Sequence, residues 1–215
     1  MNQVEIDKLD GLRLSPHFTL RELCKTSYHT TDGNIPSHVA IENLRNICEN
    51  WLELLRDQYN ELYGDRREGG LGFAACYRRD ARRREGVRRE GVSRNDEEIP
   101  IIISSGFRSE EVNRKCGGAK GSNHLTGCAV DIKCYGPEQM IRMAGILLDI
   151  ADGTKRELTS SRVCSRSAES IQASLCARST ADFDELIIEK RGTTYWVHFA
   201  VRPKDNRRKI LFDCR

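Results

Sequence analysis

An imidazole and a carboxylate lie close together in the segment Ser-Asn-His-Leu-Thr-Gly-Cys-Ala-Val-Asp, which spans residues 122–131. His124 and Asp131 are separated by a short stretch that contains Gly127, and a further histidine, His198, follows far downstream in Tyr-Trp-Val-His-Phe. Two histidines and one carboxylate leave the fourth position of a tetrahedral zinc ion open, which is typical of catalytic rather than structural zinc. These residue types therefore predict a bound Zn²⁺ that could activate water near neutral pH.

The elements around these residues are suited to present them. Residues 129–134 alternate in a way that predicts a short strand, with Asp131 on one face. His124 is expected in the loop before that strand, and Gly127 allows the chain to turn sharply between the two. Taken alone, a loop histidine and a strand aspartate are more often structural than metal-binding. The choice between these two roles therefore depends on the surrounding sequence.

Arg108 is a second candidate for chemistry. The apolar run at residues 99–105 predicts a buried strand, and Ser109 can cap a helix that starts just after it. Arg108 thus lies at a strand-to-helix junction, where a fixed guanidinium could hold a substrate carboxylate in a bidentate fork. A solvated arginine in an ordinary salt bridge is the alternative, and it would be favoured for an isolated arginine.

Several motifs occur together along the chain. They are Phe-Thr-Leu-Arg-Glu-Leu at 18–23, Ser-Gly-Phe-Arg-Ser at 105–109, Asn113, Gly117-Gly118, Ser-x-His-x-x-Gly-x-Ala-x-Asp at 122–131 and Trp-Val-His at 196–198. In this order they resemble the zinc D-alanyl-D-alanine carboxypeptidase family, which includes D-Ala-D-Ala dipeptidases and the L-alanyl-D-glutamate endopeptidases of phage lysins. The block at 122–131 is the specific part of the resemblance, whereas the other motifs alone would be weak.

The resemblance implies an α+β fold in which a small antiparallel sheet, flanked by helices, carries the zinc site, as in hedgehog-like proteins. It implies Zn²⁺ ligands at His124, Asp131 and His198, and substrate contacts from Arg108 and Ser122. The implied activity is hydrolysis of a peptidoglycan stem peptide, of either the D-Ala-D-Ala carboxypeptidase or the L-Ala-D-Glu endopeptidase type. The alternative is a non-catalytic peptidoglycan-binding module that retains the fold.

One position departs from the family pattern, and it supports that alternative. Several members carry a glutamate three residues before the last histidine ligand as general base and acid, but this chain has Tyr195 there. The proposed replacement is Glu189, on a strand that a hairpin loop at 191–194 would join to the His198 strand. Pairing of Lys190 with Tyr195 would set Glu189 diagonally beside His198 on one face. In that prediction Glu185 points to the opposite face. A strand-end carboxylate paired with a neighbouring cation remains the alternative for Glu189, and a register error of one residue would turn it away.

Length and composition bound the remaining possibilities. A chain of 215 residues suits a single peptidase domain, and residues 64–98 and 153–181 resemble insertions outside its core. The first insertion is rich in arginine and could bind an anionic polymer. The preferred interpretation is a solvated loop of mixed charge. The net charge of +3 does not demand a nucleic-acid partner, and we expect a monomer.

The sequence contains no apolar run long enough to span a membrane and no visible signal peptide. We therefore expect a protein that stays in the cytoplasm until release, as phage lysins do, or that leaves by another route. The nine cysteines have no C-x-x-C spacing, so thiols are expected rather than a second zinc site.

Overall fold

The computed structural model describes residues 11–64, 98–153 and 182–214. Within them, helices pack around a five-stranded sheet whose strand order is β1-β2-β4-β3-β5. The strands are β1 (Ile103–Ser105), β2 (Ala129–Cys134), β3 (Glu185–Arg191), β4 (Thr194–Ala200) and β5 (Lys209–Cys214). The predicted α+β class is confirmed.

Capping residues set the starts of the helices. The helices are α1 (Leu20–Leu23), α2 (His38–Ile47), α3 (Glu53–Tyr63), α4 (Glu110–Lys115) and α5 (Pro137–Asp152); a π-helical turn, Cys48–Leu52, joins α2 to α3. Thr19, Ser37 and Ser109 accept backbone N–H bonds at the starts of α1, α2 and α4, and the cap at Ser109 was predicted. No helix in the described ranges is both long and apolar enough to cross a bilayer.

One face of the sheet is buried under the helices. Alternate residues of the two central strands, such as Ile132 and Phe199, are fully buried there. Phe199 contacts Trp51 from the π-helical turn, with ring centroids 4.9 Å apart. The opposite face carries the polar residues of the same strands, so the core holds the sheet rigid beneath them.

The sheet is mostly antiparallel, and the hairpin has the predicted register. Lys190 pairs with Tyr195, and Glu189 pairs with Trp196. Strand β5 was not predicted; it pairs with β3 in the parallel direction and makes the sheet mixed.

The predicted insertions at 64–98 and 153–181 lie, apart from their end residues, outside the described ranges. Where cysteines are described, all of them are free thiols. Burial raises the pKa of the Cys24 and Cys134 thiols to about 12. Such thiols are inert structural residues at neutral pH.

Candidate metal centre

A short 3₁₀ helix, Asn123–Thr126, holds His124 in place. The Ser122 side chain accepts the His124 N–H at the start of this turn. Gly127 ends it with φ 69°, and a Cβ on Gly127 would lie 2.4 Å from the carbonyl oxygen of Ala40. The glycine of the motif is therefore required twice, for its left-handed backbone and for the close approach of α2.

Strand pairing brings the other two residues to the same place. Asp131 of β2 is directly opposite His198 of β4, so both side chains project from one face of the sheet. The structure therefore brings together the three residues that the sequence singles out, although they come from a turn and two separate strands. They form a His/Asp/His group whose ligand atoms could hold one metal ion.

The three side chains are buried and in close contact. His124 is 2%, Asp131 7% and His198 8% exposed. His198 Nδ1 lies 2.9 Å from Asp131 Oδ1 and 3.2 Å from His124 Nε2, and His124 Nε2 lies 3.3 Å from Asp131 Oδ1. Three potential ligand atoms thus converge on one point that is shielded from solvent.

A hydrogen bond to the backbone determines which ring nitrogen of His124 carries a proton. His124 Nδ1 lies 2.6 Å from the Gly106 carbonyl oxygen, which can only accept, so this nitrogen must be the donor. Burial lowers the pKa of His124, which keeps the ring neutral and leaves a lone pair on Nε2. That lone pair faces a carboxylate oxygen. A cation shared by these two atoms, such as a metal ion, would stabilise this arrangement.

His198 lies between two carboxylates. Its Nδ1 is 2.9 Å from Asp131 Oδ1 and can donate a proton to it, whereas Glu185 Oε2 is 3.9 Å from Nε2, too far for a direct hydrogen bond. If Nδ1 held a metal ion instead, the proton would be on Nε2, on the side of Glu185. Burial alone would raise the pKa of Asp131, but the two histidines more than offset it and the pKa is lowered. Asp131 therefore remains an anionic acceptor.

This donor set fits zinc. Tetrahedral zinc with bonds of roughly 2.0–2.2 Å to nitrogen and oxygen needs ligand atoms roughly 3.3–3.6 Å apart. The observed separations of 2.9–3.3 Å are slightly shorter and need only a small expansion. Neutral histidines whose other nitrogen is held by a carbonyl or carboxylate are the usual zinc ligands in proteins.

Arg108 lies beside this centre. Its Nη2 donates to Asp131 Oδ2, its Nε donates to Ser105 Oγ at 2.8 Å, and its backbone N–H donates to the His124 carbonyl. The guanidinium therefore holds the second oxygen of Asp131. The predicted substrate contact of Arg108 stays a prediction. So does that of Ser122, whose hydroxyl caps the turn that carries His124.

The candidate base, Glu189, lies on the ligand face. Ile187 is directly opposite His198, and Glu189 is two residues further along β3, so its side chain projects from the same side. Burial raises its pKa, and the negative charge of Asp131 raises it further. A half-buried carboxylate with a raised pKa beside a metal centre is the kind of group that exchanges protons in catalysis.

Glu185 was placed wrongly by the sequence analysis. It shares its face with Ile187 and Glu189, because side chains two residues apart on a strand point the same way. Its carboxylate is held by Arg207 at 2.9 Å and by Lys209 at 3.5 Å, behind the His198 ring. Strict application of the strand period would have identified it.

Two other substitutes for the missing glutamate are unsuitable. Tyr195 is an odd number of residues from His198, so it points to the opposite face of β4 and packs against the hydrophobic core. Asp184 is fully buried and accepts bonds from Arg207 and Asn123, at 2.6 Å and 2.8 Å. Within the described residues, the acidic side chains on the ligand face of β3 are Glu185 and Glu189, and Glu189 stays the predicted base.

Comparison with known proteins extends these observations. Residues 86–151 match the family model described as Peptidase M15. The matched range includes Arg108, Ser122, His124 and Asp131 but ends before Glu189 and His198. No curated protein matches the chain. This part of the chain is therefore similar to M15 peptidases, and the buried His/Asp/His group could hold the metal ion that a metallopeptidase needs.

Proposed function

We propose that the protein is a zinc-dependent peptidase that hydrolyses peptide bonds in peptidoglycan stem peptides. One observation carries the proposal: potential ligand atoms of His124, Asp131 and His198 lie within 3.3 Å of one another in a buried site that has its own supporting contacts. The family match supports peptidase chemistry. The peptidoglycan substrate rests on the resemblance of the motifs to the D-Ala-D-Ala carboxypeptidase family.

His124, Asp131 and His198 would hold the zinc ion. When bound, zinc supplies Lewis acidity that polarises the scissile carbonyl and makes a neighbouring water more acidic. Gly106 and Glu185 fix the orientations of the two imidazoles, and Arg108 fixes the carboxylate. These contacts keep the ligand atoms in place, which limits reorganisation when substrate enters.

Glu189 provides the proton transfers. It removes a proton from the attacking water as the oxygen adds to the carbonyl carbon. It then returns that proton to the nitrogen as the C–N bond breaks, which releases an amine and a carboxylic acid. Its raised pKa suits both roles, because a base that is too weak cannot take the proton and an acid that is too weak cannot return it.

Arg108 and Ser122 would orient the substrate. In a carboxypeptidase, Arg108 would contact the terminal carboxylate of D-Ala-D-Ala, and in an endopeptidase it would contact a carboxylate within the stem peptide. The non-catalytic alternative drew its support from Tyr195. That support is lost, because Tyr195 faces the core and a glutamate from the neighbouring strand lies on the ligand face.

The decisive experiment is digestion of purified peptidoglycan by the full-length protein with zinc, and after treatment with a chelator. Mass analysis of released products identifies the bond: free D-alanine indicates a carboxypeptidase, and new D-glutamate amino termini indicate an endopeptidase. Zinc-loaded Glu189→Gln protein is the matched control, since it should keep its metal but not its activity. Release that is equal with and without metal, or no release from any wall preparation, would overturn the proposal.

A further inference from the structure

A cleft of about 450 Å³ runs along the edge strand β1 beside the metal centre. Its wall is formed by β1, by the end of β2, by α4 and by the loop after α1. Ser105 and Arg108 line it where it meets the metal centre, and Lys25, Tyr28, Lys133 and Tyr135 line the remainder. Because Arg108 also contacts Asp131, the cleft lies next to the site where the reaction would take place.

The cleft is positively charged. Three cationic side chains line it, those of Lys25, Arg108 and Lys133, and no Asp or Glu is among the described residues that do so. No described carboxylate lies within salt-bridge distance of the Lys25 or Lys133 ammonium groups, whereas Arg108 is already committed to Asp131. The two lysines therefore leave positive charge available to a ligand.

Lys133 is the best placed of the three. It is half-buried, and its ammonium lies 5.0 Å from the centre of the Tyr135 ring, a contact that restrains a long side chain. It projects from the same face as Asp131, two residues along β2, and is therefore roughly 7 Å away at the backbone. An extended peptide covers that distance in about two residues.

We propose that this cleft is a substrate subsite in which Lys133, assisted by Lys25, binds a carboxylate one or two residues from the scissile bond. The inference rests on the proposed peptidase function and names the feature of the peptide that is recognised. It adds carboxylate recognition by the lysines to the contact proposed for Arg108, which also holds Asp131. The carboxylate could be the C-terminus of the peptide or the free α-carboxylate of a γ-linked D-glutamate, and the two sources can be separated by experiment.

Two pairs of synthetic peptides serve as probes: one pair ends in D-Ala-D-Ala as acid or amide, and the other contains L-Ala-γ-D-Glu with its α-carboxylate free or amidated. Kinetic constants are measured for zinc-loaded full-length protein. The variants are Lys133→Gln, Lys133→Arg and, as a control, Lys190→Gln. Lys190 lies on the opposite face of the sheet, so this control makes the same charge change outside the cleft.

Lys133→Gln should raise KM about tenfold for the acid form of one peptide pair, with kcat almost unchanged, because a charge-assisted contact to the ground state is lost. The amide of that pair should already bind weakly and show no further change. Lys133→Arg should restore most of the affinity, and Lys190→Gln should match the wild type. The pair that responds identifies the source of the carboxylate. Equal effects on acid and amide, or no effect on either, would overturn the subsite.

Binding is also measured by calorimetry with zinc-loaded protein, independently of turnover. If no peptide is cleaved, the peptidase proposal fails, but a selective loss of acid-peptide binding in Lys133→Gln would still support the subsite. If no acid form binds more tightly than its amide, the subsite is wrong even when cleavage is observed.

Discussion

Asp131, on β2, and Asp184, just before β3, are both buried carboxylates, yet their surroundings differ in kind. Asp184 accepts N–H bonds from Arg207 at Nε and Nη2, 2.8 and 2.6 Å away, and from Asn123 at 2.8 Å. Asp131 directs Oδ2 towards Arg108, but its Oδ1 faces the imidazole nitrogens of the two histidines. Asp184 is surrounded by fixed donors, whereas the imidazoles at Asp131 can either donate a proton or bind a metal ion.

This difference separates a structural carboxylate from a metal ligand. The charge of Asp184 is neutralised by the protein itself, which lowers its pKa to about 2 although burial alone would raise it. Asp131 also keeps a lowered pKa, but the groups that face its Oδ1 are imidazoles, which can release their protons and bind a metal ion. Burial of a carboxylate is thus a poor guide to function. The kind of group that contacts its oxygen atoms is a better guide.

The largest effect should follow from removal of a metal ligand. His124→Ala should reduce zinc from about one ion per chain to almost none, because two remaining protein ligands hold zinc poorly. Activity should fall by more than the roughly 10–100-fold that is typical of a lost supporting contact. Metal analysis of purified protein checks this, with His29→Ala as a control at an exposed histidine. Full zinc occupancy in His124→Ala would refute the assignment.

Glu189→Gln should be next in size. The amide keeps the size of the side chain but cannot accept a proton from water, so turnover should fall by roughly 10²–10⁴-fold. Zinc content should stay unchanged, since Glu189 is not among the three converging ligands. Wild-type turnover in this variant would show that another group is the base.

Glu185→Ala should affect the metal rather than the proton transfer. Loss of the carboxylate behind His198 should weaken zinc affinity by roughly 10–100-fold, the usual effect of a missing second contact to a ligand. At saturating zinc, turnover should be reduced less than in Glu189→Gln. Competition with a chromogenic chelator measures the affinity. If Glu189→Gln lost zinc affinity and Glu185→Ala lost turnover, then Glu185 would be the base and Glu189 the group that supports the metal.

The smallest effect should follow from Asp184→Asn, which should change the free energy of unfolding rather than activity. Its folded-state pKa of about 2 lies below the usual value of 3.8. Its contribution is therefore present above pH 4 and is lost as the pH falls towards 2. By linkage it amounts to about 2 kcal/mol. Asp184→Asn should lower the free energy of unfolding by about that much at neutral pH, with zinc content retained.

Denaturant unfolding of the metal-free proteins at several pH values tests this prediction, because zinc release at low pH would otherwise add to the effect. The difference between wild type and Asp184→Asn should shrink as the pH falls below 4. A difference that is independent of pH would mean that Asp184 contributes through packing rather than through its charge.

Much of the local structure could be predicted because it depends on neighbours in sequence. Ser109 caps α4 as predicted, and the alternation of residue types along residues 129–134 predicted the strand that contains Asp131. The hairpin between β3 and β4 was predicted with its register, since a short loop leaves few ways to pair two strands. The sequence also identified His124, Asp131 and His198 as residues of the right types for a metal.

Only the tertiary structure decided which atoms meet. The Nδ1 of His124 is held by the carbonyl of Gly106, and Glu185 lies beside the Nε2 of His198. Neither partner could be inferred for its histidine, because each contact depends on how a turn packs against a strand or on which face of the sheet a residue occupies. The parallel strand β5 and the basic cleft beside β1 likewise arise from contacts between segments far apart in the chain. The sequence determined which residues could bind a metal. The packing of the 3₁₀ turn against the paired strands β2 and β4 determined that their potential ligand atoms lie together.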